Sequence, residues 1–215
     1  MARNKYPEQT VEKILDAAQR LFLQKGYDAT TIQDIVCELE GLSKGAVYHH
    51  FKSKEEILNA VGDRMFFANN PFEAVRGRSD LNGLQKLREV IRLNQADEAR
   101  VRMTVQAIPI TKNPRLLVEM IESNRRILTP YYRELLEEGN RDGSLHTQYA
   151  AEIAELLPLL TSLWLLPSVF PADKEGMKRK FYFLGDMLEK MGVPLMDEEI
   201  RGLVEEFFEK IPEGR

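Results

Sequence analysis

Among its 215 residues the chain has one cysteine, one tryptophan and three histidines. A lone Cys37 closes no intramolecular disulfide and offers no paired thiols for zinc, so a disulfide scaffold and a zinc ribbon are both excluded and a reducing cytoplasm is the expected compartment. Its apolar neighbours on a predicted helix assign it to packing. There is no Gly/Ser linker, low-complexity tract or internal repeat. There is also no P-loop, GxSxG, HExxH or GxGxxG, and no histidine stands in a triad context, so the sequence carries no recognisable enzyme chemistry. Nothing resembling an apolar h-region follows the N-terminal MARNKYPEQT, and no secretion signal is expected. The most apolar run, Leu156 to Phe170, is interrupted by two prolines and is shorter than the roughly 20 residues that span a bilayer. A buried helix is the expectation there.

What is present is an ordinary packing composition, 43% hydrophobic and 30% charged. A net charge of -4 argues against a protein coated along its surface by nucleic acid. The charge is segregated, however. Residues 195–215 hold seven acids and three bases, whereas residues 43–54, SKGAVYHHFKSK, hold three lysines, two histidines and no acid. Such segregation governs field-steered docking more than the total does.

Apolar periodicity predicts helices throughout and no strand, an all-α chain. Val11, Ile14, Leu15, Ala18, Leu21 and Phe22 recur at helical spacing and Gly26 ends that helix. Thr31 with Asp34 three residues on reads as the capped start of a second helix, carrying Ile32, Ile35, Val36 and Leu39 and ended by Gly41. Ser43 caps a third, with Ala46, Val47 and Phe51 inward and Lys44, Tyr48, His49 and Lys52 outward. Ser53 with Glu56 forms a capping box for a fourth, running to near Pro71. Beyond it, helices are expected near 80–94, 97–108, 113–139 with a bend near Pro130, 146–168, 173–191 and 196–210.

The second and third helices, joined through Glu40-Gly41-Leu42, have the arrangement of a helix-turn-helix whose second member enters a major groove. Small Ser43, Gly45 and Ala46 let that helix start approach bases closely. Lys44 can reach a guanine edge or a phosphate, and Tyr48, His49, Lys52 and Lys54 can grip the sugar-phosphate backbone. Adjacent His49 and His50 lie about 100° apart on a helix with no third ligand in range, so no metal site is expected. No cofactor is implied.

The run TTIQDIVCELEGLSKGAVYHHFKSKEEIL, residues 30–58, resembles the DNA-binding domain of the TetR family of bacterial transcriptional regulators, and the preceding ILDAAQRLFLQKGYDAT resembles that family's first helix and its exit. The resemblance covers about the first 60 residues. It implies that Thr31 caps the second helix and reaches a phosphate, that Ser43, Lys44, Gly45 and Val47 face base edges, and that Tyr48, His49 and Lys52 hold backbone. One departure is that IVCELEGLS is one residue longer than the usual family spacing, with Glu40 added before Gly41.

The expected organisation is therefore a helix-turn-helix DNA-binding domain over residues 1–54 and a helical ligand-binding and dimerisation domain over 55–215. The resemblance implies a homodimer; helices near 146–168 and 173–191, apolar on more than one side, are the expected interface. Phe66, Met103, Met120, Asn124, Tyr131 and Trp164 are the candidate effector-binding residues, adaptable Met and aromatic surface with one amide, and an ordinary helical core is the competing reading of them. Asn124-Arg125-Arg126 reads as exposed charge, with an arginine able to pair with an anionic ligand. The expected function is a cytoplasmic, ligand-responsive repressor released from a near-palindromic duplex operator by a small molecule. The alternative is a helical adaptor whose cationic 43–54 surface docks an acidic protein.

Overall fold

A computed structural model describes residues 7–39, 41–97, 114–167 and 169–209. All but the first residue of the predicted helix at 97–108, with Met103 in it, and the inserted Glu40 lie outside those residues. Among the described residues every regular element is helical.

Four helices form the N-terminal head: α1 (Pro7–Lys25), α2 (Ile32–Glu38), α3 (Lys44–His50) and α4 (Lys54–Ala68). Their ends follow the capping chemistry in the sequence. Gly26 takes a φ of 84°, a left-handed value that costs a residue without Cβ little, and its carbonyl accepts the Thr30 hydroxyl. Thr31 and Asp34 close the expected capping box on α2. The Ser43 hydroxyl accepts from Ala46 N–H at the start of α3. Ser53 caps α4, but the Glu56 carboxylate reaches past it to Lys52 N–H, so only one arm of the expected box forms.

The chain does not simply stop at Pro71. Asn70 accepts from the Phe72 and Glu73 amides and Pro71 occupies the first turn of a short helix, α5 (Pro71–Arg76). An Asn-Pro pair is a helix start as readily as a stop, because the amide proline lacks is one a first turn leaves unbonded. Then follow α6 (Gly83–Ala96), capped by Asn82, and α7 (Pro114–Ser123), which passes without a break through a π-turn (Asn124–Leu128) into α8 (Thr129–Asp142). Helix α9 (Ala150–Leu159) runs likewise into a π-turn (Leu160–Trp164), followed by α10 (Lys174–Lys190) and α11 (Glu198–Glu209). The helix starts four residues later than the predicted 146 because Asn140 brackets Thr147, accepting from its N–H and donating to its carbonyl, and holds that stretch out of the helix.

The two π-turns have identifiable causes. Pro130 has no N–H to offer the Arg126 carbonyl, and the Thr129 amide bonds Asn124 five residues back. Pro158 likewise leaves the Ala154 carbonyl without its usual donor; beyond it Thr161 and Ser162 hydroxyls bond the Leu157 and Pro158 carbonyls, and Leu165 N–H bonds Leu160. Asn124 and Ser162 then join the two turns by a 2.7 Å hydrogen bond.

Two cores result. In the head, Ile14, Ala18 and Phe22 of α1 meet Ile35, Val47, Ile57 and Val61. In the body, Leu87 and Val90 of α6 meet Leu135 and Leu136 of α8, Ile153 and Leu157 of α9, and Leu184 and Leu188 of α10. At the α6–α8 crossing the backbones touch: a Cβ on Gly83 would lie 2.3 Å from Gly139 N. Beside it the buried Lys86 ammonium bonds Glu138 at 2.6 Å and the Arg76 carbonyl. Head and body are joined by α4 and by α7. Leu116 lies within the head core, with Leu117, Met120 and Leu166 packed on it. Burying one such leucine is worth about 2 kcal/mol, so α7 is anchored to the head.

Cys37 departs from expectation. It is exposed, and its sulfur accepts from the Gln33 side chain at 3.7 Å. A helix of seven residues has one short buried face, and Ile35 and Leu39 take it.

Candidate nucleic-acid interface

Helix α3 sits on the head with Val47 at 0% exposure and Phe51 buried beneath it. Ser43, Lys44, Gly45, His49 and Lys52 are exposed, and Tyr48 is 44% exposed. Because the inward face is apolar and Ser43 uses its hydroxyl on Ala46 N–H, the outward face begins with a small, sterically open turn. Lys44 lies 5.9 Å from the Tyr48 ring centroid, so cation and ring form one patch. Among the described residues neither Lys44 nor Lys52 joins an ion pair, whereas Arg20 is bonded to Glu38 and Lys25 to Asp34. The unneutralised cations of α3 and its exit therefore point outward while those behind it are compensated. His49 and His50 meet edge to face, 5.2 Å between centroids, and among the described residues no group of His, Cys, Asp or Glu is disposed to hold a metal.

Three expectations need revision. Val47 cannot face base edges, because its side chain is fully inside the head core, where it shares the inward face with Phe51 four residues on. Lys54 does not extend into solvent. Its ammonium donates to the Tyr27 and Thr30 carbonyls, both at 2.8 Å, and lies 4.0 Å from the Tyr27 ring centroid; burial pulls its pKa down. Thr31 is exposed and caps α2, but its hydroxyl and its amide both donate to the Asp34 carboxylate, leaving no proton for a phosphate in this arrangement. A hydrogen bond from Lys25, with the Thr31 bonds behind it, holds the Asp34 carboxyl down to about 2.

The candidate effector residues among the described residues do not all converge on one site. Phe66 and Tyr131 meet at 6.0 Å between centroids, with Phe72 stacked on Tyr131. Met120 packs on the head core. Asn124 bonds Ser162 between the π-turns, and Trp164 lies 5.8 Å from Phe183, with Lys180 over its ring. A cleft of about 500 Å³ opens beside Tyr131, between the end of α4, α5 and the first turn of α8. Phe67, Ile127 and Pro130 supply its other apolar walls. Its charged groups form two ion pairs, Asp63–Arg126 and Arg76–Glu134. Sequence reading singled out Tyr131 and noted Arg126, but Asp63 and Arg126 are 63 positions apart and no local spacing links them.

Helix α4 connects this cleft to the head. Arg64 bonds Glu12, Asp16 and Gln19 of α1, while Asp63, one residue earlier, accepts from Ser123 at 3.0 Å and from Arg126 at 2.9 Å. Asn59 donates to Glu119 of α7. Successive residues of one helix thus bind opposite sides of the head–body joint.

Comparison with known proteins places the chain. The profile of bacterial regulatory proteins of the tetR family matches residues 14–61. The uncharacterized HTH-type transcriptional regulator YerO of Bacillus subtilis is 57% identical over 47 residues, which is 22% of this chain and 16% of that protein. The match to YerO therefore spans well under two thirds of its length. The HTH-type transcriptional repressor KstR2 of Rhodococcus jostii is 31% identical over 160 residues, 66% of this chain and 71% of its own. Among solved structures, Salmonella enterica GusR superposes with a TM-score of 0.59 at 21% identity, covering 89% of this chain and 99% of that one, a likeness of fold alone. With a family profile across α1–α4, a repressor matched over most of its length and a shared helical architecture behind the head, the chain belongs to the TetR family of bacterial regulatory proteins.

Proposed function

We propose that the protein is a ligand-responsive, DNA-binding transcriptional regulator that represses from a near-palindromic operator and is released by a small molecule. The observation that carries this reading is the outward face of α3, where Lys44, Tyr48, His49 and Lys52 stand exposed around a small-residue helix start and Lys44 and Lys52 have no acid to neutralise them among the described residues. Ser43, Lys44 and Gly45 are assigned to base edges, and Tyr48, His49 and Lys52 to backbone. Thr31 holds the start of α2 in register, and Lys54 is assigned a positioning role behind α3.

A homodimer supports the palindrome. Leu156 and Phe183, the latter 59% exposed, on the helices near 146–168 and 173–191, and Phe170 between them, leave apolar surface that a second copy would cover. Two-fold symmetry would set the paired α3 helices about 34–36 Å apart, one turn of duplex. DNA binding is assigned to residues 1–54 and effector binding with dimerisation to 55–215. In support, the head and the body have separate cores, although Ile57, Leu58 and Val61 carry the head core further along α4. The effector is assigned to the cleft at Tyr131 with Phe66 behind it. Operation in the cytoplasm fits this role, and no described helix is long and apolar enough to cross a membrane.

Replacing both Lys44 and Tyr48 by alanine removes the patch without touching the core. Gel-shift titration on an operator recovered by selection from random duplex should show binding lost, with an unchanged dimer in sedimentation. Binding equal to that of the parent protein would defeat the assignment. Parent binding that ignores salt would instead favour a protein-docking role, since phosphate contacts release counterions.

A further inference from the structure

The cleft at Tyr131 has hydrogen-bonding capacity of one kind. Both Glu134 oxygens accept from Arg76, at 3.0 and 2.6 Å, and the third nitrogen of that guanidinium is bonded to Glu73 at 2.6 Å. Arg76 lies over the Tyr131 ring, 5.3 Å from ring centroid to guanidinium carbon, while the Tyr131 hydroxyl donates to Glu73. That end of the cleft is closed on itself. At the other end Asp63 is engaged through both oxygens, by Ser123 and by Arg126. Arg126 has the most donors to spare: among the described residues its one bond is to Asp63 through Nη2 and its side chain is 70% exposed, whereas all three nitrogens of Arg76 are already engaged. A guanidinium presents five N–H donors in a planar fork suited to a carboxylate.

We propose that the cleft binds an organic anion, a carboxylate carried on an apolar or aromatic body, with Arg126 as its anchor and Phe67, Ile127, Pro130 and Tyr131 as its apolar seat. This rests on the assignment of the effector to that cleft. The cavity, about 500 Å³, has the size of small-molecule sites. A cation finds no place there, because each carboxylate lining the cleft already faces a guanidinium, and a neutral apolar molecule would leave the fork of Arg126 without a new partner.

The same anchor supplies the switch. In the free protein Arg126, on the π-turn, holds Asp63 on α4. A bound carboxylate takes the fork, and Asp63 keeps only Ser123. Arg64, the next residue on α4, is bonded across to α1, so a shift of α4 at Asp63 is passed to the head. Anion binding and the Asp63–Arg126 pair thus compete, which gives the ligand a differential affinity for the two positions of α4.

The test uses full-length protein and isothermal titration with benzoate, decanoate, the amides of both acids and benzyltrimethylammonium. At least one acid should bind, and its amide should bind about tenfold more weakly or worse, as expected for loss of a charge-assisted fork. Arg126→Ala should weaken the acid by a similar factor. Arg125→Ala should not, because Arg125 faces Glu122 away from the cleft. Asp63→Asn should tighten it by freeing Arg126. Either amide or the ammonium matching the acids, an acid indifferent to Arg126→Ala, or no acid bound at millimolar concentration would overturn the proposal. Operator affinity of the ligand-free protein is measured separately by fluorescence anisotropy. A protein that binds operator but fails the acid series refutes the anion site alone, whereas one that binds acid through Arg126 but never binds DNA refutes the regulator reading.

Discussion

Exchanging Lys54 for methionine separates two roles that charge alone does not distinguish. Methionine keeps the unbranched stem lying along Tyr27 and removes the ammonium. What is lost is a pair of 2.8 Å bonds to the Tyr27 and Thr30 carbonyls and a cation held 4.0 Å from an aromatic centroid. Hydrogen bonds to a charged group contribute about 1.5–3 kcal/mol and a partly desolvated cation–ring contact about 0.5–2 kcal/mol. Burial opposes this, since it lowers the Lys54 pKa and the neutral replacement escapes that cost. The net loss should be about 2–3 kcal/mol, or roughly 5–10 °C in Tm for a chain of this size. Calorimetry at fixed protein concentration checks the stability, and operator affinity across a salt series checks the contact. A phosphate-bound lysine would reduce the slope of log K against log salt by about 0.9 when removed. An unchanged Tm together with a slope reduced by that amount would refute the positioning role and return Lys54 to the DNA surface.

Two further perturbations test the packing and the cap. Gly83→Ala drives a methyl into the Gly139 backbone and should lower stability by about 1–3 kcal/mol, whereas Gly62→Ala on α4, with nothing within 4 Å, should raise it by about 0.5–1 kcal/mol; equal denaturation midpoints for the two variants would contradict the close crossing of α6 and α8. Asp34 is held down to about 2 from an ordinary 3.8, so its carboxylate supports the fold fully above about pH 4, and that support is lost as pH falls towards 2. Asp34→Asn should flatten that part of the stability–pH curve relative to the parent, and superimposable curves would remove the carboxylate from the account.

The head was legible because its punctuation is chemical and local. Thr31, Ser43 and Ser53 cap helices within three residues of themselves, and Gly26 and Gly41 take left-handed φ values where the chain must turn. Periodicity put Val47 inward, and the structure agrees with the period over the family-implied contact. The failures share a cause, which is that a residue's partner lay far along the chain. Lys54 looked like free charge because its carbonyl partners lie 27 and 24 residues away. Met120 looked like pocket lining because nothing local reveals that α7 reaches back to the head. The Asp63–Arg126 pair is of the same kind. Cys37 failed for a different reason, since the average hydrophobicity of its neighbours says nothing about which side of a two-turn helix it occupies.

The π-turn at Asn124–Leu128 also acts as a phase shifter. Leu116 and Met120 set a stripe that an uninterrupted α-helix, turning every 3.6 residues, would extend to the neighbourhood of Glu134 and then Glu137 and Glu138. The wider turn takes up one additional residue, rotating everything after it by roughly 100°. Leu135, Leu136 and Gly139 are the residues that face inward, while Glu137 faces water. One apolar side is thereby carried along the rod from head to body, and winding the same residues as ordinary α-helix would bring Glu134 and Glu138 to the inner surface of α8 in place of Leu135 and Gly139.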